Sequence, residues 1–331
     1  MGGERVLSRN VIVVNPLGSM LAHYGRALTQ NLESAGMTTT VLSMDEPSAS
    51  GGSRLRWLAS CYRLLFHARI RCARHGGSVI LAWPILGYLD VVCVRMLFGE
   101  RGFVVLHDPD PLVRAVGYGR ILKWLARRLN CLVVTHSDEA TRVVARQGLQ
   151  RIVCVPHPVL DQSPAKRPTE LRSVYVLGQY KPDRDIELME CVARELPDEV
   201  SLRVAGRGWP EVAGWSVDNR FISEGELETI LSGESTVVLV PYRRFFQSGI
   251  AMRALENLVP VVGPADSSLA AIFGTLGTLP SGREPQTWVR AIDRAFETDG
   301  QTLRAQLGRQ ASASSSAWKS VLRSEGMCSH E

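Results

Sequence analysis

Short apolar runs alternate with amphipathic segments along the first half of the chain. The apolar runs have the length of strands and occupy residues 11–15, 38–44, 78–83, 103–107, 131–137 and 151–157. The segments between several of them have helical spacing, as at 20–36, 54–74 and 117–130. Because strands that are apolar throughout are buried on both faces, this alternation predicts a parallel sheet covered by helices on both sides.

The alternation stops at a polar stretch and then starts again. Residues 161–173, DQSPAKRPTELRS, contain two prolines and predict a linker. Further strand-like runs occupy 173–178, 200–206, 236–242 and 260–263. Two halves of similar size predict an α/β protein with two Rossmann-like domains, at 1–162 and 163–312. The C-terminal helix, at about 313–331, is expected to pack back onto the first domain or to belong to the second.

Composition and charge narrow the class of protein and of partner. A length of 331 residues with 45% hydrophobic content fits two domains. The net charge of +5 favours anionic partners such as nucleotides, phosphates or a membrane surface. No zinc-finger spacing or RNA-recognition motif is present, so no nucleic-acid partner is expected. The seven cysteines form no C-x-x-C pair and no apolar signal segment opens the chain, which predicts a cytoplasmic protein with free thiols.

Polar side chains follow several predicted strands of the first half. They are Ser19, in the loop 16-PLGSM-20 that also contains Gly18, then His107 and Asp108, His136, and His157. In an open α/β sheet, ligands bind at the carboxyl ends of the strands. One histidine at such a position is expected to cap a loop, whereas three at the same edge predict a ligand site.

The second half carries glycines and cations at the corresponding positions. They are Gly178, Lys181 and Arg184 in 174-VYVLGQYKPDRDIELM-189, then Gly206, and then Gln247, Ser248 and Gly249 in 242-YRRFFQSGI-250. A helix N-terminus offers unpaired N–H groups and a positive dipole end to an anion, and glycine permits close backbone approach. These turns predict a phosphate or diphosphate site, and solvated surface cations are the alternative.

Several short stretches resemble, in order, the motifs of a known enzyme family. They are 106-LHD-108, 135-THS-137, 155-VPHPVL-160, 177-LGQYKPDRDIEL-188 and 241-PYRRFFQSGIAMRALENLVPVV-262. With them nearly the whole chain is similar to GT-B fold glycosyltransferases, close to glycosyltransferase family 4 and its bacterial branch with a PY…QSG…PVV stretch. The resemblance implies two Rossmann-like domains whose parallel sheets face each other across a cleft.

The resemblance also implies an activity: a hexosyltransferase that moves a sugar from a nucleotide-diphosphate donor to a hydroxyl acceptor. Lys181 and Arg184 would bind the diphosphate, helped by the backbone N–H groups of Ser248 and Gly249. Residues 221–227 would meet the base, and His107 would reach the donor sugar. Such enzymes usually transfer with retention and need no metal or other cofactor. The acceptor is expected to be a lipid-linked saccharide or a natural-product scaffold.

The chain departs from the family pattern at its acidic motif. The two glutamates of the family's E-x7-E motif would fall on Phe245 and Arg253, and Glu256 lies one helical turn later, where it could reach a ribose or simply pack. The missing glutamates leave a non-catalytic GT-B subunit that binds a partner transferase as an alternative. A sugar-nucleotide epimerase is a weaker alternative, because no clear pair of carboxylates lies at the ligand edge to act as acid and base.

The segment 54–74 combines six arginines with apolar side chains, among them Trp57 and Phe66. This pattern predicts either a helix that packs one face on the sheet or a peripheral contact with an anionic membrane that brings a lipid-linked acceptor to the cleft.

Overall fold

A computed structural model describes residues 10–47, 51–111, 116–162, 165–169 and 171–327. For residues 325–327 only the backbone is described. The chain divides into two compact units. The first unit consists of the chain up to Leu160 together with the chain from Ala311 onward. The second unit is Asp161–Gln310. The predicted linker 161–173 falls at the first of these divisions, and part of it lies outside the described residues.

The first unit contains a six-stranded sheet in which every pairing is parallel. Its strands are β1 (Asn10–Asn15), β2 (Thr38–Ser43), β3 (Ser78–Leu81), β4 (Gly102–Val105), β5 (Leu132–Thr135) and β6 (Arg151–Cys154). Their order across the sheet is β2-β1-β3-β4-β5-β6. In register, Val13 lies between Val41 and Ile80. The predicted parallel sheet is confirmed.

Helices cover both faces of this sheet. They are α1 (Ala22–Ser34), α2 (Arg54–His75), α3 (Tyr88–Phe98), α4 (Arg120–Arg128) and α5 (Asp138–Arg146). One core joins the sheet to the inward residues of α2, α3, α4 and α5, and a separate core on the opposite face joins it to α1. Alternate residues of β1 therefore enter different cores, as Ile12 and Val13 do.

The second unit contains a five-stranded parallel sheet. Its strands are β7 (Ser173–Leu177), β8 (Ser201–Ala205), β9 (Ser216–Asp218), β10 (Thr236–Leu239) and β11 (Val261–Val262), in the order β11-β10-β7-β8-β9. Its helices are α6 (Ile186–Glu195), α7 (Glu224–Leu231), α8 (Gly249–Glu256), α9 (Ala270–Phe273) and α10 (Pro285–Glu297).

A last helix, α11 (Gly300–Met327), begins in the second unit and ends in the first. Its C-terminal half places Trp318, Val321 and Leu322 in the core that also holds α1. The end of the chain therefore packs onto the first unit. None of the described helices is long and apolar enough to cross a membrane.

Candidate functional site

Three histidines meet at the carboxyl edge of the first sheet. His107, His136 and His157 follow β4, β5 and β6, which are neighbours in the sheet. The ring centroids of His107 and His136 are 5.4 Å apart, and those of His136 and His157 are 5.0 Å apart. The strand order explains this cluster, because parallel neighbouring strands end at the same edge.

Two aromatic side chains complete the cluster. Tyr24 of α1 contacts all three imidazoles, with centroid distances of 4.8 Å to His107, 5.6 Å to His136 and 5.3 Å to His157. The Trp83 ring stacks on His107 at 4.5 Å. These five rings are called the histidine cluster below. Neither residue was predicted. Tyr24 lies inside a helix and gives no such signal, whereas Trp83 follows β3 just as the histidines follow their strands.

Hydrogen bonds fix the orientation of these rings. His107 Nε2 donates to the Ala82 carbonyl at 2.8 Å, and His136 Nδ1 donates to the Val155 carbonyl at 2.8 Å. Since His136 Nδ1 carries the proton, its neutral ring has Nε2 as the acceptor, and the Tyr24 hydroxyl donates to this atom at 2.8 Å. The rings are therefore held in defined tautomers by backbone carbonyls.

Burial keeps three of these rings, those of His136, His157 and Tyr24, uncharged. Burial, with a smaller effect from the neighbouring His107, lowers the pKa of His157 to about 3. Burial also lowers the pKa of His136 well below its ordinary value, with added effects from His157 and His107. The pKa of the Tyr24 phenol is raised well above its ordinary value because the group is buried. His136, His157 and Tyr24 are thus uncharged at physiological pH.

The loop after β1 lies at the same edge of the sheet and depends on one glycine. Gly18 has φ +51°, and a Cβ there would lie 2.3 Å from Asp45 Oδ1. The buried Asn15 amide donates to the Gly18 carbonyl at 3.0 Å, and Ser19 N–H donates to Asp45 Oδ1 at 3.1 Å. Ser19 is exposed, so it is available to a ligand, whereas Gly18 has a conformational role.

Asp108, the remaining predicted residue of this unit, is half-buried beside His107. Its backbone carbonyl accepts a hydrogen bond from the Tyr118 hydroxyl at 3.1 Å, and its carboxylate accepts one from Asp110 N–H at 3.3 Å. Asp108 therefore shapes the loop that follows β4.

In the second unit, Gly178 and Gly206 lie against each other at the ends of β7 and β8. A Cβ on Gly206 would lie 2.0 Å from the Gly178 carbonyl oxygen. The Trp209 indole donates to the same oxygen at 2.8 Å. The two glycines thus allow a close backbone approach at the carboxyl edge of the sheet.

Arg184 is buried next to that edge and stacks on an aromatic ring. It is 8% exposed, and its guanidinium carbon lies 3.3 Å from the centroid of the Tyr242 ring. One terminal nitrogen donates to the Gln179 carbonyl at 3.3 Å, while Nε has no hydrogen-bond partner among the described residues. Burial lowers the pKa of Arg184, an effect that Tyr242 and Asp183 oppose. A desolvated guanidinium of this kind attracts an anion strongly.

The N-terminus of α8 adjoins this arginine through Tyr242. The buried Ser248 caps the helix by accepting from Ala251 N–H at 3.3 Å, and its side chain is hydrogen-bonded to that of Tyr242. Gly249 is exposed, and a Cβ there would meet nothing within 4 Å. Gln247, just before the cap, is half-buried. Arg184, Tyr242, Ser248 and Gly249 are called the anion site below.

Lys181 and Arg184, which the sequence treats as a pair, differ in the structure. Arg184 N–H donates to the Lys181 carbonyl at 3.0 Å, so the two residues close one turn. The Lys181 side chain is exposed, and Arg184 is buried. Lys181 has the mobility to follow a ligand, whereas Arg184 is fixed in place.

A buried carboxylate holds two further arginines beside this turn. Asp185 caps α6 by accepting from Leu188 N–H at 3.2 Å, and it accepts from Arg243 at 3.1 Å and from Arg283 at 2.7 Å. Burial alone would raise the pKa of Asp185, but the hydrogen bonds from Arg243 and Arg283 outweigh it and hold the pKa below its ordinary value. This network was not predicted.

Arg253, which stands where the family has a glutamate, is neutralised by acidic side chains. Its guanidinium lies 2.5 Å from Glu224 and 3.5 Å from Glu228, both on α7, and 3.9 Å from Glu256. Glu256 is fully buried. Its place beside a buried arginine favours a packing role over contact with a ribose, and its role in donor binding stays a prediction.

Comparison with known proteins gives no match by sequence and clear matches by structure. No protein-family model matches the chain, and no curated protein matches it. HepE of Anabaena, solved with UDP and glucose, is 11% identical over 95% of this chain and 97% of its own, with a TM-score of 0.56. Sucrose-phosphate synthase of Thermosynechococcus elongatus is 13% identical over 96% of this chain and 97% of its own, with a TM-score of 0.58. The fold is GT-B.

TarM of S. aureus, solved as a mutant with UDP among its ligands, is 12% identical, with a TM-score of 0.56. That match covers 74% of this chain and 55% of TarM, so the chain spans about half the length of that protein. Identities this low show the fold alone. The predicted α/β class with two Rossmann-like units is therefore confirmed, and the activity has to be argued from the site.

Proposed function

We propose that this chain is a glycosyltransferase that moves a hexosyl group from a nucleotide-diphosphate sugar to a hydroxyl acceptor. The second unit would hold the donor. The observation that carries the proposal is the anion site, where the buried Arg184 stacks on Tyr242 next to the capped N-terminus of α8. A diphosphate supplies the two negative charges that a guanidinium and a helix N-terminus would bind together.

The same groups would act in catalysis, because negative charge grows on the diphosphate as its bond to the sugar breaks. Arg184 and the N–H groups at the start of α8 are fixed before the reaction, so no reorganisation opposes that stabilisation. Lys181 would add a mobile charge from the surface. The opening at Gly249 lets a phosphate oxygen approach the helix backbone closely.

The histidine cluster supplies a surface suited to a sugar or a lipid-linked saccharide. Trp83 and His136, the half-buried rings of the cluster, would offer apolar faces against which sugar C–H groups pack. The specific contact of His107 with the donor sugar is carried over from the resemblance. Retention and independence of a metal ion are also carried over from the resemblance, whereas peripheral membrane contact through 54–74 is proposed from the arginines and apolar side chains of that segment.

Nucleotide binding by the purified protein tests this proposal directly. HepE was solved with UDP and with UDP-glucose, so these are the first probes, followed by ADP, GDP and dTDP and their glucose conjugates. Titration calorimetry with and without a chelator measures affinity and any metal requirement. Binding of one nucleotide class, weakened in an Arg184→Ala variant, is the expected result.

Arg203 offers a matched control for that variant. It lies in β8 of the same unit with its guanidinium 5.9 Å from the Tyr175 ring, and it is exposed. Arg203→Ala should bind as the unchanged protein does. If no nucleotide or nucleotide sugar binds, or if both variants bind equally well, the donor site is not where we place it.

A non-catalytic GT-B subunit remains the second candidate, and one observation favours it. Arg253 stands at a glutamate position of the family motif and is tied to Glu224 and Glu228. Such a protein would bind the nucleotide yet hydrolyse or transfer no sugar. Release of the nucleotide diphosphate from a nucleotide sugar, followed over long incubations with mixed acceptors, separates the two candidates. Release indicates the transferase, and binding without release indicates the non-catalytic subunit.

A further inference from the structure

Helix α4 exposes large apolar side chains on its outward face. Its inward residues Leu122, Leu125 and Ala126 pack in the core of the first unit. On the other face, Ile121 is 78% exposed and Trp124 is 52% exposed. A helix of an ordinary globular protein presents polar residues there, so this face has the composition of a contact surface.

This exposure does not come from loose attachment of the helix. The turn before α4 is fixed by a close approach, since a Cβ on Gly117 would lie 1.8 Å from the Leu86 carbonyl oxygen. Tyr88 N–H donates to the Gly117 carbonyl at 3.0 Å. The Lys123 ammonium lies 5.5 Å above the Tyr88 ring. The scaffold therefore holds Ile121 and Trp124 in solvent.

The charged residues of α4 itself all have one sign. Arg120, Arg127 and Arg128 are exposed on the same face of α4. The sequence has no acidic residue between Val116 and Cys131. A tryptophan and an isoleucine within an arginine-only face match the interfacial layer of an anionic bilayer, where indoles lie at headgroup depth and arginines meet lipid phosphates.

Neighbouring helices on the same face of the sheet continue this surface. Helix α2 has no acidic residue and exposes Phe66 (58%) and Leu55 (78%) among its arginines. Helix α3 packs against both α2 and α4 and exposes Met96 (74%). A bilayer, unlike a folded protein partner, needs no shape complementarity to cover three helices of one layer.

We propose that α4 docks the first unit on an anionic lipid bilayer, with Trp124 and Ile121 entering the headgroup layer and the three arginines binding lipid phosphates. This contact goes beyond the one expected from residues 54–74, and it does not rest on the glycosyltransferase proposal. It also lies close to the candidate site. Tyr118, in the turn before α4, donates to the carbonyl of Asp108, which adjoins His107.

Vesicle co-sedimentation tests the docking. The full chain is mixed with phosphatidylcholine vesicles that contain or lack phosphatidylglycerol. We expect binding to the anionic vesicles only, weakened by added salt. An Ile121→Ser/Trp124→Ser double variant should lose at least about tenfold in partitioning. An Arg127→Gln/Arg128→Gln variant should lose about 30-fold.

The control is Leu171→Ser, which removes a side chain of similar exposure (57%) from the second unit. It should bind vesicles normally, and unchanged melting temperatures show that all variants fold. The proposal is overturned if the chain ignores anionic vesicles, or if the α4 variants bind normally while a Leu55→Ser/Phe66→Ser variant does not. It is equally overturned if sedimentation velocity shows that Trp124 holds two copies of the chain together.

Discussion

Replacement of Arg184 is the sharpest test of the anion site. The side chain is buried and stacks on Tyr242, and within the described part of the chain its Nε has no hydrogen-bond partner. Arg184→Ala removes one charge-assisted contact to a phosphate, which contributes about 1.5–3 kcal/mol. The dissociation constant for the preferred nucleotide diphosphate should therefore rise about 10- to 150-fold.

Arg184→Lys separates charge from geometry. A lysine keeps the positive charge but has neither the planar fork nor the stacking face of a guanidinium. We expect an affinity between those of the unchanged protein and Arg184→Ala. A lysine variant that binds as tightly as arginine would mean that a point charge suffices and that the stacking on Tyr242 has no part in recognition.

Titration calorimetry at low and physiological salt measures these affinities, with inorganic pyrophosphate as a ligand that carries no nucleoside. Pyrophosphate should lose affinity in Arg184→Ala by the same factor as the nucleotide, since both present a diphosphate. Melting of the ligand-free variants shows whether loss of the contact with Tyr242 has unfolded the site. If Arg184→Ala folds and its affinity for both ligands stays within about twofold of the unchanged protein, the reasoning is refuted.

Three further predictions concern stability. The pKa of His157 is lowered to about 3, so its ring binds a proton less readily in the folded state than in the unfolded chain. The free energy of unfolding therefore keeps the full contribution of neutral His157 above about pH 6.5 and falls by up to about 1.4 kcal/mol per pH unit below that. Urea unfolding at pH 7.5 and pH 5 should show this loss, and a His157→Gln variant with the same loss would contradict it. Gly206→Ala should lower the free energy of unfolding, measured with urea, by about 1–3 kcal/mol, because its Cβ would lie 2.0 Å from the Gly178 carbonyl oxygen. Unchanged stability would show that the two strand ends separate easily. Trp318→Ala should lose about 3–5 kcal/mol because the indole is fully buried, and a loss below about 1 kcal/mol would mean that the end of α11 does not belong to that core.

The strands were predictable because a parallel strand buried on both faces is an apolar run. Residues 11–15 and 236–242 are examples, and they correspond to Asn10–Asn15 and Thr236–Leu239. Strand β9, Ser216–Asp218, was not predicted, because its three residues are mostly polar and do not form an apolar run. Helix α10, Pro285–Glu297, was not singled out, although proline at its start and its apolar spacing are readable signals.

Parts of the candidate site were predictable for a similar reason. A polar residue after a buried strand reaches the ligand edge, and this placed His107, His136 and His157 together. Tyr24 could not be found in this way, because its contact with all three depends on how α1 crosses the sheet. The burial of Arg184 was equally hidden, since it depends on the loop after β10 that carries Tyr242.

The arginines of the second unit differ in how their charge is neutralised. Arg243 and Arg283 share the carboxylate of Asp185, and Arg253 lies against Glu224. Each of these guanidiniums already has an anionic partner within the protein. An added phosphate would have to compete with a carboxylate for any of them, and it would gain little by doing so.

Arg184 differs from these residues. Among the described ion pairs it has none within 4 Å, although Asp183 acts on it from a distance, and the Tyr242 ring takes the place of a carboxylate. A ring face stabilises a cation less than a negative charge does, so a buried guanidinium in this setting keeps most of its attraction for an anion. Binding a phosphate would offset the desolvation that lowers its pKa. This is why we propose the anion site, rather than the more numerous surface arginines, as the place where the donor diphosphate binds.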